Sequence, residues 1–326
     1  DSLTFIGRKQ TSSECIAGKI PMSTMPGVDF IFMPSLSTSK SFLFTRQKVR
    51  KQIVDLLKSH DKVIVRLPSE LGLLTAETAR TMKKSYAVEL VGCPLDALWY
   101  YGTMFARFYA PIQAARSRYA VWRADAVCYV TKSYLQNRYP SGKYAITANI
   151  SNVSIPAVAN VGEIGKVKPL PRRIRVGIIG SLQTRYKGVH TAIEALTRLV
   201  RAGVDIELRI LGGGDPQMLL MQAERSGVSC HVYFDGTLPS GKAVHEWLDK
   251  LDIYAQPSLT EGLPRALIEA MSRGLPAVAS RVGGIPELLR EEFLFPPGDA
   301  GALADRLSNF VASPGQRMSA GRSNVE

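Results

Sequence analysis

EGLPRALIEAMSRGLPAVAS, Glu261 to Ser280, is the stretch on which the fold turns. Pro264 suits the first turn of a helix, where a missing N–H costs nothing, and Gly274 ends the helix. Ala266, Leu267, Ala270 and Met271 form one apolar stripe, with Arg265 and Glu269 on another face. The apolar PAVAS that follows reads as a strand, as does DIYAQ, Asp252 to Gln256, before it. Outward from this unit the alternation continues. IRVGIIG (Ile174–Gly180), DIELRIL (Asp205–Leu211) and CHVYF (Cys230–Phe234) read as strands. Helices are expected near Val189–Arg201, Asp215–Arg225 and Lys242–Lys250. Strands separated by helices of this length require parallel pairing with right-handed crossovers, a doubly wound sheet. Ligands of such sheets gather outside the C-terminal strand ends, where this stretch places its two glutamates.

The start of the helix is chemically pointed. Backbone N–H groups near Gly262 and Leu263 lack intrahelical partners and the macrodipole adds positive character, so a diphosphate suits the spot. Glu261 and Glu269 are separated by roughly 10 to 12 Å at about 1.5 Å per residue. That is close to the span of a sugar nucleotide, whose hydroxyls each carboxylate could accept. The plainer alternative makes Arg265 and Glu269 a surface i, i+4 pair worth about 0.3 to 0.5 kcal/mol and Glu261 a helix-start acid.

Pro257-Ser258, Glu261-Gly262, Glu269-Ala270-Met271, Gly274-Leu275-Pro276 and Gly283-Gly284-Ile285-Pro286-Glu287 stand in order along the chain. In this frame the sequence resembles the family-4 (group 1) retaining glycosyltransferases, over roughly Ile174 to Leu307. The resemblance implies an α/β fold of two Rossmann-like doubly wound domains facing a cleft, the GT-B architecture. It implies residues 1–165 as an acceptor-side domain lacking its first strand, and 166–326 as the nucleotide-sugar-binding domain. The linker is expected in ANVGEIGKVKPLPRR, Ala159 to Arg173, rich in Gly, Pro and charge.

A second donor element is expected in GSLQTRYKG, Gly180 to Gly188. Glycines let backbone approach a ligand, and Arg185 and Lys187 can reach phosphate oxygens. The spacing excludes a Walker A loop. The family's Gly-Arg and Lys-Gly supply two cations here. Lys187-Gly188 matches, whereas Ser181 takes the arginine's place and Arg185 is the candidate replacement. LGGGD, Leu211 to Asp215, lacks a dinucleotide fingerprint's third glycine and reads as a strand-to-helix turn. Backbone near Leu238 is expected beside the base. A histidine that family members often carry after AVELVGCP (Ala87–Pro94) is missing. On that side Arg66 and Glu70 are candidate acceptor or donor contacts, or else a solvated pair at a strand end.

The chain has 326 residues and a formal net charge of +13. Residues 1–165 hold 21 Lys+Arg against 11 Asp+Glu, and residues 166–326 hold 20 against 17, so the basicity belongs to the first half. Between Ala97 and Tyr144 stand 12 of the 26 aromatics, seven basic residues and one acid. An anionic membrane surface would attract that mixture, while core aromatics of packed helices are the ordinary alternative. The helix expected from Arg46 to Lys58 reads as core-facing with a wet basic face. Zinc-finger, helix-turn-helix and RNP patterns are missing, and no nucleic acid is expected. Cys15, Cys93, Cys128 and Cys230 are scattered, the four histidines form no ligand motif, and no metal site is expected. The lack of an initiating Met suggests that the true start lies upstream, before the strand at Leu3–Ile6.

These readings lead to a metal-independent hexosyltransferase. It would move a sugar from a nucleoside diphosphate donor, UDP-linked by expectation, to a glycan or lipid-linked acceptor, with retention. The expected setting is bacterial surface polysaccharide or glycolipid synthesis, in the cytoplasm or at the inner membrane face. No cofactor is implied beyond the donor. By resemblance Glu261 holds the sugar, Glu269 the ribose, and Lys187 with Arg185 the diphosphate. Gly180, Ser181, Leu238, Gly262, Leu263 and Pro264 complete the donor contacts. A nucleotide-sugar epimerase on this architecture, or a basic polyanion- or RNA-binding protein with a degenerate transferase fold, are the alternatives.

Overall fold

A computed structural model describes residues 3–8, 26–34, 36, 39–153, 155 and 173–324. Most of the expected linker, 159–172, and Cys15 lie outside them. In chain order the first half forms β1 (Leu3–Arg8), β2 (Val28–Met33), α1 (Ser39–Lys58), β3 (Val63–Leu67), α2 (Glu70–Thr81), β4 (Tyr86–Leu90), α3 (Pro94–Trp99), α4 (Met104–Trp122), β5 (Ala126–Tyr129), α5 (Tyr134–Arg138) and β6 (Ile146–Asn149). The second half forms β7 (Ile174–Ile179), α6 (Val189–Arg201), β8 (Ile206–Leu211), α7 (Gln217–Arg225), β9 (Val232–Gly236), α8 (Lys242–Leu248), β10 (Ile253–Gln256), α9 (Arg265–Ser272), β11 (Ala277–Ser280), β12 (Leu294–Phe295), α10 (Ala300–Ala312) and α11 (Pro314–Ser323).

By internal contacts the chain divides into two compact units. One comprises residues 1–90, 116–128 and 140–148, and the other 91–115, 129–139 and 149–326. In the first, β1 and β2 pair in parallel, and β3 pairs in parallel with β4 within a sheet ordered β3-β4-β5-β6. Along β3, Val63, Val65 and Leu67 are buried and alternate with exposed Ile64 and Arg66, the period-2 pattern of a strand with one covered face. α1 turns Val49, Ile53 and Leu57 inward and keeps Arg50 and Lys51 exposed, as the sequence pattern predicts.

In the second unit six strands run in the order β12-β11-β10-β7-β8-β9, all paired in parallel. Alternate residues feed two cores. Ile174, Val176, Ile178, Ile253 and Val278 pack with α6 and α10, whereas Tyr254, Ala277 and Ala279 pack with α8 and α9. Helices on both faces explain why every residue of β10 and β11 is buried and why those strands read as unbroken apolar runs. The expected doubly wound topology is present. Several boundaries move: α7 begins at Gln217, and β9 at Val232, after a 3₁₀ turn over Ser229–His231. LGGGD is a strand-to-helix turn, tight because a Cβ at Gly212 would collide with the carbonyl of Gly180.

Strand order reverses between β7 and β10, the two central neighbours from which the chain winds in opposite directions. Crossovers leave that point toward both edges, opening a crevice at the C-terminal ends of the two strands. β7 leads into Gly180–Gly188 and β10 into Pro257–Glu261, so the topology delivers both predicted donor segments to one place.

Candidate donor site

The two segments meet through a partly buried ion pair. Lys187 Nζ donates to Glu261 Oε1 at 2.8 Å, with the side chains only 19% and 9% exposed. Lys187 closes a 3₁₀ turn, Arg185–Lys187, and Gly188 beyond it has φ +71°. A Cβ there would collide with the carbonyl of Pro257, so only glycine lets the loop after β7 press against the loop after β10. Leu259 N–H, donating to Tyr186 O at 2.7 Å, ties the same loops.

Glu261 Oε1 also accepts from Ser258 Oγ at 2.7 Å and Gln256 Nε2 at 3.0 Å. Gln256 and Ser258 are buried, and Ser280 Oγ beneath them donates to the carbonyls of Gln256 and Ser258. Such buried polar groups are tolerated only when satisfied, and here each meets a partner. Glu261 therefore stands rigidly, held by neutral donors and a cation.

The sequence expectation for the helix start needs a correction. Pro264 is not in the first turn: with φ −72° and ψ 111° it precedes α9, which starts at Arg265. Pro264 N carries no hydrogen, and its extended ψ turns the chain before the coil begins. Gly262 and Leu263 belong to the turn ahead of the helix. Gly262 sits where a Cβ would collide with the carbonyl of Val91, and its own carbonyl accepts from Gly284 N–H at 2.7 Å. Gly283, at φ +58°, packs on the carbonyl of Glu261 with no room for a Cβ. The Gly-Gly of the frame is thus a backbone clamp on the Glu261-Gly262 turn.

Glu269 lies partly buried on α9 and forms no ion pair with Arg265 among the described residues, which removes the surface-pair alternative. Glu261 and Glu269 both act electrostatically on the wholly buried hydroxyl of Tyr254; burial first, then these two acids, push its pKa well above the usual phenol range.

The remaining candidates are more dispersed. Gly180 lies against the Lys187 side chain, and Ser181 Oγ accepts from Gln183 N–H at 3.2 Å. Arg185 is exposed, and Leu238 after β9 is exposed as well. Among the described residues Arg66 and Glu70 form no ion pair with each other. Arg66 binds Glu89 at 3.0 Å, and Glu70 binds Arg116 at 2.9 Å within a group that includes Glu77 and Arg46. Adjacent strands place Arg66 opposite Glu89, and α2 brings Glu70 and Glu77 to one side, so tertiary partners replace the sequence-near one.

Sequence reasoning missed three side chains. Gln256 could have been flagged as an amide closing an apolar strand, and Ser280 likewise. Glu287, the last residue of the Gly-Gly-Ile-Pro-Glu frame, accepts from the backbone N–H of Lys132, Ser133 and Tyr134 and from Ser133 Oγ. Partial burial works to raise its pKa, but the backbone donors outweigh it and hold the carboxyl below its ordinary value.

Residues 173–313 match the family model described as glycosyl transferases group 1. Protein CapJ of Staphylococcus aureus is 34% identical over 287 residues, covering 88% of this chain and 72% of CapJ. The amylovoran biosynthesis glycosyltransferase AmsK of Erwinia amylovora is 40% identical over 156 residues, 44% of this chain and 38% of AmsK. Anabaena HepE, solved in complex with UDP-glucose, superposes with a TM-score of 0.63 at 20% identity, over 91% of this chain and 80% of HepE.

Proposed function

The chain belongs to the group 1 glycosyltransferases and has their GT-B fold, and from that premise we propose that it transfers a hexose-type unit from a nucleoside diphosphate sugar to an acceptor hydroxyl, with retention at the anomeric carbon. The observation that carries this reading is the Lys187–Glu261 pair at the switch point between β7 and β10. The ammonium has three N–H donors, so Lys187 can keep Glu261 and still bind a diphosphate oxygen. Glu261 takes a hydroxyl of the sugar, and Glu269 the ribose. Arg185 adds a second cation, and backbone near Leu238 meets the base. UDP is the nucleotide favoured by the likeness to HepE.

In the reaction the bond between the anomeric carbon and the diphosphate oxygen breaks, and the acceptor oxygen bonds on the same face. The acceptor proton passes to the leaving phosphate. Charge developing on the diphosphate is stabilised by Lys187 and Arg185 together with the N–H groups around Gly262 and Leu263, a preorganised electrostatic site without need of a metal. The acceptor is a glycan or lipid-linked glycan of a bacterial surface polysaccharide.

The acceptor meets the protein at the inner, anionic face of a membrane. Trp99, Tyr101, Phe105, Phe108 and Ile112 are exposed on α3, α4 and the turn between them, Phe108 at 74%, which overturns the core-aromatic alternative for these side chains. Arg107 stands exposed among them on α4 and no acid falls between Ala97 and Ala115, a surface matched to acidic headgroups. Among the described residues no helix is long and apolar enough to cross a membrane.

Three experiments test the reading. In a thermal-shift screen nucleoside diphosphate sugars should raise the melting temperature, since a ligand of the native state alone stabilises it; no shift with any donor refutes the donor site. Product analysis with acceptor omitted should give no sugar isomer, whereas an isomer would mark an epimerase. For the membrane, vesicles containing anionic lipid should co-sediment the protein at low salt and release it as salt rises. Loss of binding in Phe105→Ser/Phe108→Ser is expected, and no binding at low salt, or a concentration-dependent dimer through this face, refutes the proposal.

A further inference from the structure

Beneath Glu261 the hydrogen-bond donors all point one way. Tyr254 OH donates to Gln256 Oε1 at 2.8 Å. The Glu261 carboxylate can only accept, so the Gln256 amide presents Nε2 to it and Oε1 to the wholly buried phenol, which fixes its orientation. With Oε1 committed, Gln256 Nε2 faces Ser258 Oγ at 2.8 Å and Glu261 Oε1 at 3.0 Å. Ser258 Oγ, accepting from that amide, sends its own proton to Glu261 Oε1 at 2.7 Å. Lys187 arrives at the same oxygen from the other side at 2.8 Å. Three donors thus converge on Oε1, and among the described residues every hydrogen bond of Glu261 goes to that atom.

We propose that Gln256 is a positioning residue for the transfer reaction: locked by Tyr254, its amide saturates Glu261 Oε1 and turns Oε2 toward the donor sugar, so that one carboxylate serves as both anchor of Lys187 and acceptor of a sugar hydroxyl. The proposal rests on the donor site proposed above. A buried strand residue is ordinarily apolar, and an amide 1% exposed at the end of β10 has a structural cost that its four-membered network offsets. The titratable groups around it are Tyr254 on its own strand, Glu261 on the following loop and Lys187 on the loop after β7, with Glu269 of α9 acting on Tyr254.

Gln256→Glu places a second carboxyl within hydrogen-bond distance of Glu261, and two such groups share a proton. The acid limb of kcat/KM against pH should then move up by about one unit or more. Turnover at neutral pH should fall at least about tenfold and partly recover in alkali. Gln256→Met, close in volume and without donors, should lower kcat about tenfold while the limb stays in place and the calorimetric Kd for UDP stays within about threefold. Tyr254→Phe should fall between Gln256→Met and the unaltered protein.

An unmoved limb in a folded Gln256→Glu protein overturns the proposal. So does Gln256→Met with unchanged kcat, which decides the matter alone if the glutamate variant does not fold. If the unaltered protein binds no UDP or UDP-sugar, the donor site itself has failed. Binding with either negative result leaves the donor site standing and removes Gln256 from it.

Discussion

Replacing Lys187 with alanine separates its two duties. Glu261 is 9% exposed and would keep the neutral donors Ser258 and Gln256 while losing the one cation paired with it among the described residues. Removing one partner of a fully buried pair costs about 3 to 5 kcal/mol; with two donors left and some exposure on both partners, about 2 to 3 kcal/mol is expected. For a folding unit of this size that is a fall in Tm of roughly 4 to 12 °C. Turnover has a separate cause. A preaimed donor to a developing diphosphate charge is worth about 3 kcal/mol, so kcat should fall about a hundredfold. The double variant Lys187→Ala/Glu261→Gln tells the effects apart, because it leaves no uncompensated buried carboxylate: Tm should largely recover and turnover should not. Calorimetry and initial rates with a nucleoside diphosphate sugar supply both readings. A Lys187→Ala enzyme within about threefold of the unaltered rate would refute the cationic role, and a double variant as unstable as the single one would refute the coupling.

Glu269→Ala should weaken nucleoside diphosphate binding by about tenfold or more, through the loss of a charge-assisted hydrogen bond worth about 1.5 to 3 kcal/mol; equal affinity by calorimetry would remove it from the ribose. Glu287 has a folded-state pKa below its ordinary 4.5, so its contribution to stability is complete above that value and disappears as pH falls through the folded-state value. The Tm difference between the protein and Glu287→Gln should accordingly be constant above about pH 5 and shrink in acid; a difference independent of pH would contradict the carboxylate grip on Lys132–Tyr134. Gly283→Ala forces a Cβ into a left-handed residue pressed on the carbonyl of Glu261. It should cost more than about 1 kcal/mol of stability and reduce donor affinity together, while an unchanged Tm would show that the turn can yield.

Legibility in the sequence followed the range of the interaction that fixes each feature. β10, α9 and β11 were readable because apolar runs, Gly274 and the Ala266–Met271 stripe act within a few residues. Pro264 was misplaced by one turn position because a proline serves equally before a helix and at its first residue, and only its ψ decides. Arg66 and Glu70 read as near neighbours in sequence, yet the pairing of β3 with β4 and the packing of α2 against Arg116 gave each another partner. The aromatics from Trp99 to Ile112 lay beyond reach for a similar reason. Exposure depends on what covers a helix, and no residue of the helix itself states that.

Sequence alone determined that this chain alternates strand and helix, that its second half winds a parallel sheet, and that Lys187 and Glu261 lie in segments following strands with Glu269 on the helix after them. These follow from periodicity, chain stiffness and the handedness of crossovers. Only the tertiary structure decided that Lys187 and Glu261, 74 residues apart, share one partly buried contact and that Gln256, Ser258 and Ser280 lie under it. The reason is physical: burial raises the strength of a charge contact and the cost of an unsatisfied amide alike, and burial is a property of the packed sheet, not of any segment that enters it.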